Sequence, residues 1–252
     1  AVFVVLVGLN ISVWAYALRS RDLDIFFLDV GQGDAAFVRF PDGKTMVVDG
    51  GERSERFDYG ARVLVPFLRH MGVGRIDVVV ASHLHNDHIG GLVALLQQME
   101  VGHFVDGGQV YDSWTAKRIR QLVSERGVRY HRVAAGDSLV GLGGVGGLVL
   151  HPNEKFVDAA GASSAGLNNG SVAFSLDYGA VRVLFTSRTS HVTHWPGWIG
   201  ARKSASRWIV GVSPTTPSSY MADWAIATST KLVNQPPWTT LLGLRWRASA
   251  RN

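Results

Sequence analysis

Short apolar runs alternate with glycine, aspartate and proline from residue 24 onward, which is typical of strands joined by turns. Three runs come first, at residues 25–30 (IFFLDV), 35–40 (AAFVRF) and 45–50 (TMVVDG). They are separated by residues 31–34 and by a Pro-Asp-Gly turn at 41–43. Because these connections have turn composition, the pattern predicts a meander of three strands.

The spacing of apolar residues becomes helical after the third run. Val63, Phe67 and Met71 recur at every fourth position and Gly72 follows them, which predicts a helix that ends there. A buried strand is expected at residues 76–80. Two more helices are expected after it, at residues 90–99 and 116–127, and three more strands at residues 148–152, 171–179 and 181–187. Helices and strands that alternate in two groups predict an α/β fold layered as an αβ/βα sandwich.

The first eighteen residues contain no charged side chain and are followed by Arg19 and Arg21. As a helix they would span about 27 Å, close to the roughly 30 Å hydrocarbon thickness of a membrane. We therefore expect residues 1–18 to form one transmembrane helix, the last of a longer membrane protein. A signal peptide is an alternative, since Ala-Tyr-Ala at 15–17 resembles a cleavage site, and a buried amphipathic helix is another.

Residues 81–91 read ASHLHNDHIGG and directly follow the expected buried strand. His83, His85, Asp87 and His88 form a His-x-His-x-Asp-His pattern within them, which uses three of the nine histidines of the chain. Imidazole is a ligand of zinc and related metals, and a carboxylate adds an oxygen ligand. Because binding residues are concentrated in loops held by a rigid scaffold, this pattern after a strand predicts a metal site.

Composition narrows the chemistry of that site. The chain has no cysteine, so disulfides and thiolate metal sites are excluded and any metal must be bound by His, Asp or Glu. The net charge of +5 is concentrated after residue 186, where eight basic residues accompany one acid, Asp223. The part of the chain that carries the histidine cluster has a slight acidic excess, so its charge does not indicate nucleic-acid binding.

The segment SHLHNDHIGG resembles the signature of the metallo-β-lactamase superfamily. Residues 26–51 (FFLDVGQGDAAFVRFPDGKTMVVDGG), residues 167–186 (LNNGSVAFSLDYGAVRVLFT) and the hydrophobic first helix resemble the hydrolase domain of ComEC-type DNA-internalisation competence proteins. The resemblance implies a metallo-β-lactamase-like αβ/βα sandwich over residues 24–186. It also implies metal-dependent cleavage of phosphodiester bonds in DNA, by a domain outside the cytoplasm on the bacterial inner (cytoplasmic) membrane. DNA, the membrane and other competence proteins are the partners it implies.

The resemblance also implies roles for individual residues. It implies two divalent metal ions, Zn or Mn, the first held by His83 and His85 and the second by Asp87 and His88. Asp87 and Asp49 are the expected catalytic residues, Asp49 by orienting the ligand loop, and a plain turn residue is the alternative for Asp49. The residues expected to face the substrate are Asp34, Asn168 and Asn169. For the asparagine pair, a structural or plain loop role is the alternative.

Residues 187–252 depart from the family pattern. Relatives have Thr-Gly-Asp where this chain has Thr-Ser-Arg at 186–188, so the aspartate that bridges both metals is missing. A later Pro-His-His-Gly motif is also missing, and His191 and His194 are not expected to replace it. A wrong reading frame after residue 186 would explain both departures. The alternative is a natural basic tail, with six tryptophans, that binds single-stranded DNA by stacking and phosphate contacts.

These departures limit the expected function. We expect the sandwich to be incomplete in its C-terminal half, residues 187–252 to form an atypical tail, and the chain as written to be inactive. At most a weak mononuclear metal site near His83 and His85 is expected. Two other functions are compatible with the fold: a non-catalytic DNA-transport module, and a hydrolase of small esters or lactones.

Overall fold

The apolar runs form two β-sheets in the computed structural model, which describes residues 5, 7–10, 22–153, 164–179, 181–186 and 245–248. The larger sheet contains β1 (Leu23–Phe27), β2 (Ala36–Arg39), β3 (Thr45–Val48), β4 (Arg75–Val80), β5 (Glu100–Asp106), β6 (Arg129–Arg132) and β11 (Arg245–Ala248). The smaller sheet contains β7 (Ser138–Leu142), β8 (Val145–His151), β9 (Ala173–Tyr178) and β10 (Val181–Phe185).

The larger sheet is mixed, with the strand order β11-β1-β2-β3-β4-β5-β6. Its pairs are antiparallel from β11 to β3 and parallel from β3 to β6. The predicted three-strand meander is confirmed, since Phe37 of β2 pairs with Phe26 of β1 and with Val47 of β3. The smaller sheet is antiparallel, in the order β10-β9-β8-β7.

Helices connect the parallel strands, as parallel pairing requires. A π-helical turn, Gly60–Leu64, continues into α1 (Val65–His70), and α2 (Asn86–Ile89), α3 (Leu92–Gln98), α4 (Trp114–Glu125) and α5 (Ser164–Asn169) follow. The longest helix, α4, begins where Ser113 Oγ accepts a hydrogen bond from the Ala116 amide at 3.1 Å. This cap satisfies one of the amides that have no partner within a helix.

Two apolar cores lie on opposite faces of the larger sheet. In β3, Val47 packs on the helical face, whereas Met46 and Val48 pack against the smaller sheet, as the two-residue period of a strand dictates. Each of the five helices contributes a buried residue to the first core: Leu68, Ile89, Leu92, Ile119 and Leu167. The described residues therefore form three layers: the helices, the larger sheet and the smaller sheet. The second helical layer of an αβ/βα sandwich is not among the described residues.

Strands β5, β6 and β7 were not predicted from the sequence pattern. All four residues of β6, Arg-Tyr-His-Arg, are exposed, so the strand has none of the apolar alternation on which the prediction relied. It lies at the edge of the larger sheet, where the parallel backbone ladder to β5 holds it. Charged side chains at a sheet edge also discourage pairing with another chain.

The predicted tail contributes one strand to the larger sheet. Residues 245–248 form β11, which pairs antiparallel with β1 and places Trp246 opposite Ile25. We expected that the segment after residue 186 does not build the second half of the sandwich, and one strand at the edge of β1 does not test that expectation. The strand forms at this edge because the amides and carbonyls of β1 need partners. The other residues of 187–252 lie outside the described residues.

The predicted transmembrane helix falls mostly outside the described residues. Of residues 1–18, only residue 5 and residues 7–10 are described, and these are helical. Among the described residues, we find no helix with the length and apolar character that a membrane span requires.

Candidate metal centre

The carboxyl ends of β3 and β4 bring Asp49 and the histidine-rich turn together. The Asp49 amide donates to the carbonyl of Val80 at 2.9 Å, and the Gly50 amide donates to the carbonyl of His88 at 2.7 Å. Asp49 has a φ of 58°, a left-handed conformation that aspartate adopts more readily than most residues. These contacts between two distant segments direct the Asp49 side chain toward the histidines.

The Asp49 carboxylate is fully buried and joins three groups. Oδ1 accepts from the Ser82 amide at 2.8 Å, and Oδ2 accepts from Ser82 Oγ at 2.6 Å. Oδ2 also lies 2.8 Å from Nδ1 of His88. Since an ionised carboxylate can only accept, Nδ1 of His88 is the donor. This contact is the kind that orients a metal-binding imidazole, which is the role that we expected for Asp49.

The three histidines of the pattern share one feature: Nδ1 of each ring contacts an oxygen of another side chain. Nδ1 of His83 lies 3.0 Å from Ser82 Oγ, and Nδ1 of His85 lies 3.0 Å from Asn168 Oδ1. His88 completes the set through Asp49. A ring held at Nδ1 presents Nε2 as its ligand atom, so each ring is oriented to bind a metal such as zinc, although the ligand atoms of the three rings do not all lie within 4.8 Å of one another.

The rings also lie close together. The centroids of His83 and His88 are 4.0 Å apart, and those of His83 and His85 are 4.9 Å apart. Asp87, whose side chain is 23% exposed, has Oδ2 at 3.7 Å from Nε2 of His88. The structure thus brings the four predicted ligands to one place, with Asp87 on the solvent side of the buried His83 and His88.

Asp34 lies inside this cluster and is buried, although we expected it to face the substrate. Its Oδ2 is 3.6 Å from Nδ1 of His88. The turn that carries it approaches closely because Gly33, at φ 107°, has no side chain: a Cβ there would lie 1.8 Å from the Asp87 carbonyl oxygen. Asp34, Asp49 and His88 form a candidate metal site of their own, with ligand atoms within 4.8 Å of one another.

The two donor sets share His88 but would use it differently. Burial disfavours a charged ring, yet the carboxylates of Asp49, Asp34 and Asp87 outweigh it and raise the pKa of His88. A metal among Asp34, Asp49 and Nδ1 of His88 would displace the hydrogen bond from His88 to Asp49. The histidine set preserves that bond, whereas Asp34, Asp49 and His88 are the set whose ligand atoms already lie within 4.8 Å of one another.

The two asparagines lie beside the site in different roles. Asn168 contacts His85, whereas the Asn169 carbonyl is 2.7 Å from Nε2 of His151. The Asn168 carbonyl also accepts from Ser171 Oγ at 2.7 Å. Asn168 is therefore placed to hold a ligand ring, and Asn169 links α5 to the end of β8.

Sequence reasoning missed three residues that support the ligand turn. Ser82 contacts both Asp49 and His83, and Asn86 bonds two neighbouring segments. The ring of Tyr111 lies 6.1 Å from that of His85. Ser82 and Asn86 are adjacent to the ligands in sequence, which is a signal that could have identified them. Tyr111 comes from a distant loop, and no local pattern marks it.

Asp106, at the end of β5, is a buried carboxyl at the same sheet edge that belongs to neither donor set. Burial raises its pKa, against the hydrogen bonds donated by the Tyr130 hydroxyl and the Gly108 amide, both at 2.7 Å. The native carboxyl therefore keeps its proton over a pH range, above the ordinary aspartate value, in which the unfolded chain has lost it. Rising pH through that range lowers the free energy of unfolding.

We expect Asp106→Asn to remove this pH dependence, since the amide is uncharged and its oxygen can still accept from Tyr130 and Gly108. The variant should gain in stability relative to the wild type as the pH rises from about 4 toward 8. Urea unfolding at a series of pH values measures the difference. A difference that grows as the pH falls would contradict the assignment.

Comparison with known proteins supports a metal-binding fold. The family model described as Metallo-beta-lactamase superfamily matches residues 28–243. ComE operon protein 3 of Bacillus subtilis (strain 168) is 29% identical over 139 residues, which cover 50% of this chain and 18% of that protein. The chain thus spans less than a fifth of the length of this curated relative.

The solved structures that match part of the chain have low sequence identity to it. CmlA, a diiron beta-hydroxylase from Streptomyces venezuelae, is 17% identical with a TM-score of 0.42, over 69% of this chain and 31% of that one. YhfI, a metallo-beta-lactamase fold protein from Bacillus subtilis, is 16% identical with a TM-score of 0.39, over 66% and 62%.

The family model covers more than half of the chain and includes both the histidine pattern and Asp49. Proteins of this family typically bind divalent metals, and the described residues include one possible site for such an ion, formed by Asp34, Asp49 and His88. The chain belongs to the metallo-beta-lactamase superfamily.

Proposed function

We propose that this chain is the metal-dependent hydrolase domain of a ComEC-type membrane protein for DNA uptake, and that its reaction is phosphodiester cleavage in DNA. The observation that carries the hydrolase assignment is the set of three imidazoles, each held at Nδ1 by another side chain. The similarity to ComE operon protein 3 supports the link to competence. DNA, the membrane and other competence proteins are the partners proposed, with the domain outside the cytoplasm on the bacterial inner membrane.

The proposed ligands are His83, His85, Asp87 and His88, for ions such as Zn²⁺ or Mn²⁺. In hydrolases, such ions supply Lewis-acid polarisation of the scissile group and lower the pKa of water. The chain's own contribution is orientation. Asp49 holds His88 through Nδ1, and because its carboxylate remains hydrogen-bonded to Ser82, the ring has one fixed position.

Asp87 is the proposed residue for proton transfer. Its carboxylate is partly exposed, unlike the buried Asp34 and Asp49, so a substrate can reach it. A carboxylate beside a histidine cluster can accept a proton from an attacking group and return it to a leaving group.

The missing bridging aspartate limits the activity that we expect from the chain as written. Position 188 is arginine where the resemblance implies that aspartate, so the chain lacks this ligand for a second ion. We therefore expect one weakly bound ion for each chain, and little or no DNA cleavage.

Restoring the family motif with Ser187→Gly and Arg188→Asp is expected to raise the number of bound Mn²⁺ ions from one to two. Cleavage of a labelled single-stranded oligonucleotide should rise at least tenfold, because a carboxylate at this position can bind both ions. Equilibrium dialysis with Mn²⁺ and a gel assay of cleavage measure the two effects. Arg202→Asp, which changes the charge of the same segment equally, is the control and should have no effect.

The same variant distinguishes the alternative functions. Adding His85→Ala to it should abolish cleavage. Hydrolysis of a nitrophenyl ester without cleavage of DNA would identify a small-molecule hydrolase instead. Metal binding with neither activity, together with DNA uptake that survives His85→Ala, would favour a transport module.

A further inference from the structure

An exposed tryptophan and an arginine lie together at the rim of the metal centre. Trp114, the first residue of α4, is 61% exposed. The guanidinium carbon of Arg53 lies 4.8 Å from the centroid of the Trp114 ring, which is a cation–π contact. An exposed aromatic ring offers a flat face on which a planar group of a ligand can stack.

Asn86 ties both residues to the ligand turn. It lies between His85 and Asp87, and its Nδ2 donates to the Arg53 carbonyl at 2.7 Å. Its Oδ1 accepts from the hydroxyl of Thr115, the neighbour of Trp114, at 2.9 Å. One side chain in the middle of the predicted ligands therefore fixes the two segments that carry the cation–π pair.

The charge of Arg53 is only partly compensated. Its Nε lies 3.3 Å from Oδ2 of Asp58. Its Nη1 is buried and makes no hydrogen bond to any residue that the structure describes. The Arg53 side chain as a whole is 32% exposed. Its planar guanidinium carries further N–H donors, and a phosphate oxygen that reaches the exposed part can accept from them.

We propose that Arg53 and Trp114 form a subsite for single-stranded nucleic acid, in which a base stacks on the Trp114 ring and the adjoining phosphate is bound by Arg53. The proposal rests on the proposed DNA hydrolase function and names how its substrate is held. An aromatic face beside a cation matches the alternation of base and phosphate in a single strand, and stacking on aromatic side chains is a main source of affinity for such strands.

Binding without turnover tests the subsite. Fluorescence anisotropy of a labelled oligothymidylate is measured with the full chain in EDTA, so that cleavage does not contribute. Trp114→Leu keeps an apolar side chain but removes the π face, and it should weaken binding about tenfold. Trp114→Phe should restore most of the affinity. Arg53→Gln should weaken binding by a similar factor and reduce its salt dependence, because a phosphate contact is lost.

Arg69→Gln is the matched control, since Arg69 is an exposed arginine in α1, next to the amino end of β4. It should bind as the wild type does. The basic segment after residue 186 is present in every variant, so its contribution cancels when affinities are compared. Urea unfolding of each variant checks that the fold is retained, and Arg53→Lys replaces Arg53→Gln if the latter unfolds; it keeps the charge but should lose the affinity that depends on the planar pair.

The outcomes separate this inference from the proposed function. Equal affinity of wild type and Trp114→Leu would overturn the subsite, even if the variant with the restored motif cleaves DNA. Loss of affinity in Trp114→Leu and recovery in Trp114→Phe would support it, even if no variant cleaves DNA. An effect of Arg69→Gln as large as that of Arg53→Gln would show nonspecific charge attraction and would also overturn it.

Discussion

Gly91→Ala is expected to destabilise the fold by about 3 kcal/mol or to prevent folding, because the new methyl group meets backbone atoms. A Cβ at Gly91 would lie 2.0 Å from the Gly50 carbonyl oxygen and 2.7 Å from the Gly60 nitrogen. The backbone of Gly91 has φ −71°, which alanine adopts without strain, so the effect comes from contact alone.

The Gly50 carbonyl that the new methyl group would meet cannot move freely. The Gly50 amide is bonded to the His88 carbonyl, and the Gly91 amide donates to the Gly51 carbonyl at 2.9 Å. These bonds join the end of β3 to the ligand turn, so relief of the clash would displace the site itself. The contact is a place where three backbone segments meet with no room for a side chain.

Urea unfolding measures the change in the free energy of unfolding, and Gly74→Ala is the matched control. A Cβ at Gly74 would have no neighbour within 4 Å. The free energy of unfolding of that variant should differ from that of the wild type by less than about 0.5 kcal/mol, as is usual for substitutions at exposed positions. Equal stability of the two variants would show that the backbone around Gly91 is not packed as closely as described.

Asp49→Asn is expected to weaken metal binding about 10- to 100-fold, which is the usual effect of losing a residue that orients a metal-binding histidine. An asparagine oxygen can still accept from the Ser82 amide. Its NH₂ group, however, would face Nδ1 of His88 and the Ser82 hydroxyl, where the carboxylate now accepts. Asparagine tolerates the left-handed backbone at this position, so the substitution changes the side chain without straining the chain.

Competition for Zn²⁺ with a chromophoric chelator measures the affinity. Asp177→Asn is the control, since Asp177 pairs with Arg182 between β9 and β10 and contacts no predicted ligand. It should leave the affinity unchanged. Unchanged Zn²⁺ affinity in Asp49→Asn would show that Asp49 does not orient the ligands and would favour the plain turn residue considered from the sequence.

Parts of the fold were predictable because their signals are local. The three-strand meander and the buried strand β4 follow from runs of apolar residues and the turns between them. Strand β6 was not predictable in this way, because its four residues are all exposed and only pairing with β5 makes it a strand. Strand β11 depends on the free edge of β1, which lies more than 200 positions earlier in the chain.

The candidate site also combines features that have a local sequence signal with features that depend on contacts between distant residues. The closeness of His83, His85, Asp87 and His88 is predictable from the sequence, since residues within six positions of one another on a turn cannot be far apart. The groups that hold the rings depend on the tertiary fold: Asp49 reaches His88 across 39 positions, and Asn168 reaches His85 across 83. The physical reason is that such contacts follow from the parallel pairing of β3 with β4 and from the packing of α5 beside the turn, and neither leaves a periodic signal in the sequence.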